Sequence, residues 1–172
     1  MRTIPSLLFS IFVLLTGCKN TEENGTVSKE EQNKSETITE EDIAKLKFTD
    51  YVLDVKAQNI IKTSVEYVQL QDLRNNIKNG DLSFFVGSEE TSKALFKNLR
   101  QTLPSEFNTE SILARILVLE TEFYKLESLS RLTTTSREEL LQAIKDFFVA
   151  YSNLSLQINK KMEFENRTIE KP

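Results

Sequence analysis

The chain has 172 residues, no histidine, a single cysteine and a formal net charge of −4. Without histidine it cannot build a Ser-His-Asp triad, a Cys-His pair or a histidine-ligated zinc or di-iron site. The mildly acidic balance, with no run of lysine and arginine interleaved with aromatic residues, argues against a nucleic-acid partner. The length suits one domain with a single core.

The N-terminal residues have the pattern of an export signal. Arg2 supplies a positive start, and residues 7–15 supply an apolar run that is too short to span a bilayer as a permanent helix. The run closes with Leu15-Thr16-Gly17-Cys18, which resembles the lipobox of bacterial lipoprotein precursors. The resemblance implies that residues 1–17 are removed as a signal peptide and that Cys18 becomes the acylated first residue, with palmitate among its acyl chains. An ordinary signal-peptidase site or a lone buried thiol fits this position less well.

A polar stretch separates this cysteine from the rest of the chain. Between Lys19 and Thr37, Val27 is the only bulky apolar residue, so we predict a flexible tether over residues 18–38. In lipoproteins of familiar Gram-negative bacteria, an aspartate directly after the cysteine retains the protein at the inner membrane. The resemblance therefore implies that Lys19 favours the outer membrane, whereas Glu22-Glu23 partly matches an acidic signal for export to the outer face. We expect a lipid anchor in the outer membrane, with the periplasmic face favoured over the outer surface.

The helical domain is predicted over residues 39–172. Thr39 is followed by three acidic residues, which is a helix-start signal because acids in the first turn complement the helix dipole. An apolar stripe then continues to Asn79-Gly80, which is a C-terminal stop signal. The stripe drifts around the helix axis, and this drift predicts a break near residues 48–50 with a new helix start there.

Four apolar residues lie close together in the next segment, which is too short for a helix. They are Leu82, Phe84, Phe85 and Val86. We interpret them as part of a loop that covers the core, because monomeric proteins rarely expose clustered phenylalanines. The alternative is an exposed apolar lip that contacts a partner or a ligand. These four residues are therefore the candidate interaction or ligand contacts, in addition to Cys18 as the lipidation site.

Three further helices follow in the sequence. Ser88 caps the first of them, and Pro104 ends it. The next has apolar residues at heptad spacing, and the last begins at a capping box formed by Ser136 and Glu139. The heptad positions are Ile112, Ile116, Leu119, Phe123 and Leu126, followed by Leu140, Ile144, Phe147, Tyr151, Leu154 and Ile158. Together with the first helix, they predict an all-α fold in the form of an antiparallel four-helix bundle with up-down-up-down order.

Acidic residues are the only candidates for catalysis or metal binding. Glu120 and Glu127 flank the heptad seam and are spaced so that both could face inward as a paired site. Such positions are more often solvated, or paired locally as Glu127 can be with Arg131 at four-residue spacing. A carboxylate metal site in a bundle normally also needs a Glu-x-x-His element, which is absent. We therefore predict no catalytic residue, no metal ligand and no cofactor.

The leading functional hypothesis is a non-enzymatic lipoprotein of the cell envelope that acts as a protein-interaction or scaffold module. Its predicted partners are the membrane, through the lipid on Cys18, and an envelope protein. The alternative is a helical module that holds a small apolar ligand or lipid between its helices. The abundance of phenylalanine, including Phe84, Phe85, Phe147 and Phe148, is the pattern that favours this alternative.

Overall fold

The computed structural model describes residues 37–87, 89–165 and 167, all of which belong to one compact unit, Asn33–Pro172. These residues form six α-helices and two short 3-10 helices, and no β-strand occurs among them, so the predicted all-α class is confirmed. The predicted signal peptide, Cys18 and the tether up to residue 36 lie outside the described residues. The α-helices are α1 (Glu40–Ala44), α2 (Val55–Ile61), α3 (Val65–Lys78), α4 (Glu89–Thr102), α5 (Glu110–Arg131) and α6 (Arg137–Glu165).

The region predicted as a first long helix contains three helices, α1, α2 and α3. Thr39, Asp54 and Ser64 each accept a hydrogen bond from a backbone N–H in the first turn of the helix that follows, so each helix has its own N-cap. Between α1 and α2 the chain is not helical, and we call this segment, residues 45–54, the strap. The break predicted near residues 48–50 falls inside the strap, but the interruption is longer than the stripe indicated.

The strap is held by two polar side chains of α6. The Ser152 hydroxyl donates to the Thr49 carbonyl at 2.7 Å and accepts from the Tyr51 N–H at 2.8 Å. Seven residues further along, the Asn159 amide donates to the Val52 carbonyl at 2.7 Å and accepts from the Asp54 N–H at 2.9 Å. Because these contacts satisfy strap backbone groups that a helix would pair internally, the strap needs no helical structure of its own.

Side chains connect the four long helices α3, α4, α5 and α6. The contacts are Glu66–Thr102 between α3 and α4, Phe96–Phe123 between α4 and α5, Lys125–Asp146 between α5 and α6, and Tyr67–Tyr151 between α3 and α6. The heptad positions predicted for α5 are all buried, as are those of α6 apart from the half-buried Leu140. Both heptad seams therefore face the core.

The centre of the core is a group of aromatic rings around Phe123. Its ring lies within 5.0–6.3 Å, between centroids, of five other rings, mostly in edge-to-face geometry. The five are Phe84, Phe85, Phe96, Tyr124 and Phe147. Edge-to-face contacts of this kind add to the stabilisation that burial of the rings already provides.

Gly80 ends α3 and brings the start of the described chain close to this end of the domain. Its φ is +81°, a left-handed conformation that glycine adopts without steric cost, as predicted for a C-terminal stop. A Cβ atom at this position would lie only 2.8 Å from the Ile38 carbonyl oxygen. The absence of a side chain at Gly80 therefore lets residues 37–38 pass directly over the end of α3.

Candidate functional site

The four apolar residues singled out in the sequence are brought together in one short turn. The 3-10 helix Ser83–Val86, which we call the phenylalanine turn, follows Leu82. Phe85 is buried, Phe84 is half-buried, and both pack edge-to-face against Phe123 in the core. Val86, in contrast, is 86 % exposed. In this segment the two phenylalanines cover the core, whereas Val86 is exposed to solvent.

Arg131, at the end of α5, holds this turn in place. Its Nε donates to the Phe85 carbonyl at 2.7 Å, and its Nη2 donates to the Gly87 carbonyl at 2.8 Å. The same Nη2 lies 2.9 Å from the Glu127 carboxylate, one helical turn earlier on α5. A planar guanidinium can make several such bonds at once, so Arg131 fixes the turn against α5.

The carboxylate that orients Arg131 is itself buried. Glu127 is only 5 % exposed and accepts a second hydrogen bond from the Ser92 hydroxyl of α4 at 2.7 Å. The predicted local pair of Glu127 with Arg131 is present, but the position is not a solvated one. Since burying an unpaired carboxylate is costly, both partners are needed at this site.

Glu120 does not join Glu127 in a paired carboxylate site. Its carboxylate forms an ion pair with Arg100 of α4 and accepts a hydrogen bond from the Tyr124 hydroxyl at 3.5 Å. Burial, followed by the nearby Glu120 charge, raises the pKa of Tyr124. The two glutamates of α5 therefore have separate partners, and each has a structural role.

An open cleft of about 670 Å³ lies beside the phenylalanine turn. We call it the turn cleft. It is bounded by the turn, by Thr37 and Gly80, and by the connection between α5 and α6. The volume is within the range of small-ligand pockets, roughly 300–1,000 Å³. Its apolar lining residues are Ile38, Leu82, Phe85, Val86 and Leu140.

Two arginines line the turn cleft, and both are balanced by acids. Arg131 pairs with Glu127, and Arg137 lies 2.5 Å from Asp42 of α1. Hydrogen bonds from the Thr39 side chain, and then the contact with Arg137, lower the pKa of Asp42 to about 2, so Asp42 is ionised at neutral pH. The cleft therefore offers apolar surface and polar edges rather than a net positive charge.

A second, smaller cleft of about 270 Å³ lies under the strap, and we call it the strap cleft. Tyr67, Tyr151 and Ser155 contribute hydroxyl groups to it, and Arg74 contributes the one charged side chain of its lining. Burial raises the pKa of Tyr67, and burial together with the neighbouring Tyr67 raises that of Tyr151. Both tyrosines therefore remain neutral hydrogen-bonding groups at physiological pH.

Several residues that position these clefts carried no local signal in the sequence. In the sequence, Ser92 is one of several polar residues in an amphipathic helix, and nothing near it indicates its hydrogen bond to Glu127. Ser152 and Asn159 share a face of α6 beside the heptad seam, and small polar residues repeated at that spacing are the one pattern that would have indicated the strap contacts. Arg74 has no comparable signal.

In the part of the chain that the structure describes, no group of three or more acidic, cysteine or histidine side chains is arranged to bind a metal ion. No helix among the same residues has the length and apolar character needed to cross a membrane. Comparison with family models, curated proteins and solved structures finds no match for this chain. The geometry of the two clefts is therefore what bears on function, together with the N-terminal sequence pattern.

Proposed function

We propose that this protein is a bacterial lipoprotein anchored through Cys18, and that it acts without catalysis as a protein-interaction or scaffold module of the cell envelope. The Leu15-Thr16-Gly17-Cys18 motif supports the anchor, and Lys19 after the cysteine favours the outer membrane, on its periplasmic face. The observation that carries the interaction surface is the exposed Val86 on a turn that Arg131 fixes beside the turn cleft.

The proposed architecture of the module is an antiparallel bundle of α3, α4, α5 and α6 in up-down-up-down order. In support, Thr102 at the end of α4 contacts Glu66 near the start of α3. Ser92 near the start of α4 contacts Glu127 near the end of α5. The connection between α5 and α6 is short, as is typical of antiparallel neighbours. In such a bundle the phenylalanine turn and the connection between α5 and α6 lie at the same end.

A protein partner suits this surface because the apolar side chain is presented by a rigid support. Exposed apolar residues that are held in place lose little entropy on binding, and clusters of them typically mark interaction sites. Arg131 also lines a further cleft of about 440 Å³ next to the turn cleft, together with the exposed Leu132. Val86 and Leu132 therefore flank the same arginine as two apolar contacts.

The proposed tether joins the domain at this surface. Thr37, the first described residue, lines the turn cleft. A flexible tether of roughly 20 residues has a typical reach of about 25 Å. We propose that an anchor at Cys18, joined through this tether, would leave the cleft accessible to a membrane-associated partner.

The alternative, an apolar ligand or lipid held between the helices, stays a prediction. Side chains from every long helix occupy the described core, including the fully buried Phe96, Phe123 and Phe147. The turn cleft, whose lining includes Leu82, Phe85 and Leu140, is the larger apolar opening that such a ligand would enter. The two hypotheses consequently predict different molecules at the same surface.

The anchor is tested by mass spectrometry of the protein extracted from membranes of its bacterial host. We expect a chain that begins at Cys18 and carries acyl mass, because the lipobox pattern directs both cleavage and acylation. The Cys18→Ala variant is expected to lack acyl mass and to leave the membrane fraction. An unmodified wild-type cysteine would contradict the anchor while leaving the interaction surface open to its own test.

The interaction surface is tested by crosslinking from a single introduced thiol. Val86→Cys and Val65→Cys are matched variants, because both replace an exposed valine, 86 % and 73 % exposed respectively. Val65 is the first residue of α3, whereas the phenylalanine turn follows the last residue of that helix. With a thiol-reactive photocrosslinker applied to intact envelopes, we expect a protein adduct of one defined mass from position 86 and none from position 65. Equal adducts from both positions, or none from either, would refute the proposal, and a lipid-only adduct at position 86 would favour the alternative.

A further inference from the structure

The strap cleft has the features of a built binding site that is separate from the turn cleft. Its lining brings together the hydroxyl groups of Tyr67, Tyr151 and Ser155, all three of which are buried residues. The Tyr151 hydroxyl donates to the Tyr67 hydroxyl at 3.2 Å. The Ser155 hydroxyl donates to the Tyr151 carbonyl at 3.3 Å, which leaves the Tyr67 hydroxyl hydrogen to turn toward an acceptor that enters the cleft.

Arg74 is held rigidly beside these three hydroxyl groups. Its Nη2 lies 2.6 Å from both carboxylate oxygens of Asp50, and its guanidinium lies 5.0 Å from the centre of the Tyr151 ring. These contacts leave donors unused, and its Nε is enclosed by protein without a hydrogen-bond partner among the described residues. Because the enclosed Nε is out of reach of a molecule in the cleft, the donors that a ligand can meet are those of the terminal guanidinium nitrogens.

The charge of the strap cleft favours an anion. Arg74 is the one charged residue in its lining, and no carboxylate lines it. Outside the lining, Asp50 pairs with both Arg74 and Lys78, so this group of three carries a net charge of +1. Burial alone would raise the pKa of Asp50, but the two cations outweigh it and hold that pKa below its usual value. An ammonium ligand would find no ionic partner in this lining.

The size of the strap cleft restricts the ligand further. A volume of about 270 Å³ equals roughly nine water molecules at ~30 Å³ each, so it suits a molecule of about ten non-hydrogen atoms. Val52 and Leu53 of the strap provide an apolar wall, and the contacts of the strap with Ser152 and Asn159 fix that wall in place. The cleft is therefore formed before any ligand binds.

We propose that the strap cleft binds a small carboxylate with a short apolar body, with the carboxylate at Arg74 and the Tyr67 hydroxyl and the apolar body against Val52 and Leu53. If Arg74 served only to hold the strap against α3, its contact with Asp50 would be sufficient. The Tyr67 hydroxyl hydrogen and the guanidinium donors that do not contact Asp50 would have no function in such a role.

The test uses the full chain and four carboxylate probes, acetate, butyrate, hexanoate and benzoate, with hexanol and hexylamine as matched neutral and cationic compounds. We expect at least one carboxylate to bind in calorimetric titration and to shift the Arg74 Nε–H resonance in a ¹H–¹⁵N spectrum. Hexanol is expected to bind at least tenfold more weakly than hexanoate, and hexylamine not to bind. Absence of binding by all four carboxylates, or equal binding of hexanoate and hexanol, would overturn the proposal.

Two conservative variants separate recognition from stability. Tyr67→Phe removes one hydroxyl and keeps the ring, and we expect it to weaken carboxylate binding by about tenfold, as for a hydrogen bond to a charged group. Tyr124→Phe makes the same change outside the strap cleft and is expected to leave binding unchanged. Equal affinities for both variants would assign the binding to some other part of the surface.

Discussion

Replacement of Phe123 by alanine is expected to lower the free energy of unfolding by about 3–5 kcal/mol, as for other fully buried aromatic side chains. Phe123 has no exposed surface, and its ring contacts five other aromatic rings, two of them in the phenylalanine turn. Its removal therefore leaves a cavity that α4, α5, α6 and the turn all border. No other aromatic ring among the described residues contacts rings from so many elements.

Urea-induced unfolding followed by circular dichroism measures this effect, with Leu117→Ala as the control. Leu117 lies on the same helix but is 60 % exposed, so its truncation is expected to change stability by less than about 0.5 kcal/mol. A loss below about 1 kcal/mol for Phe123→Ala would mean that the aromatic group does not determine stability. The turn would then have to be held mainly by the hydrogen bonds of Arg131.

The sequence was most informative where one periodicity persists over several turns. In α5, Ile112, Ile116 and Phe123 are buried as their heptad spacing predicted, and the same holds for Ile144 and Ile158 in α6. A long stripe is reliable because one buried face can satisfy it everywhere along the helix. The four-helix arrangement of these elements is a finer statement, and it remains part of the proposal.

The first part of the domain was predicted less well, because its conformation depends on distant residues. Apart from a break near residues 48–50, the strap was predicted to be helical from its apolar spacing. Four of its backbone groups instead bond to Ser152 and Asn159, roughly a hundred residues away in the sequence. Tertiary contacts of this kind override local helix propensity and leave no local signal. In this part of the chain, the cap at Thr39 and the stop at Gly80 were predicted from the sequence, whereas the caps at Asp54 and Ser64 were not.

The candidate site shows the same division between local and long-range information. The clustering of Leu82, Phe84, Phe85 and Val86 was visible in the sequence because the residues are adjacent. The turn cleft was not, because its walls come from residues 37–38, from the phenylalanine turn and from the connection between α5 and α6. The burial of Glu127 also required knowledge of α4, which supplies the Ser92 hydroxyl.

The Arg131→Met variant is expected to lose about 2–4 kcal/mol of stability, because it leaves the buried carboxylate of Glu127 with the Ser92 hydroxyl as its remaining partner among the described residues. Breaking a buried ion pair from one side costs about 3–5 kcal/mol, and the lower expectation here reflects the partial exposure of Arg131. Arg167→Met removes an exposed pair with Glu163 and should cost less than about 0.5 kcal/mol. Chemical denaturation of both variants gives the comparison.

The double variant Arg131→Met/Glu127→Gln distinguishes a lost attraction from a stranded charge. If the cost of Arg131→Met arises mainly from the uncompensated carboxylate, then neutralising Glu127 should restore part of the stability, and the double variant should be more stable than the single one. If the double variant is instead only as stable as the single one, the uncompensated carboxylate contributes little, and the loss comes from the hydrogen bonds of Arg131 to Phe85 and Gly87. In both variants the turn loses these two bonds, so amide hydrogen exchange of residues 83–87 should accelerate. The crosslink from Val86→Cys should also weaken when either variant is combined with it, because the turn is held less firmly.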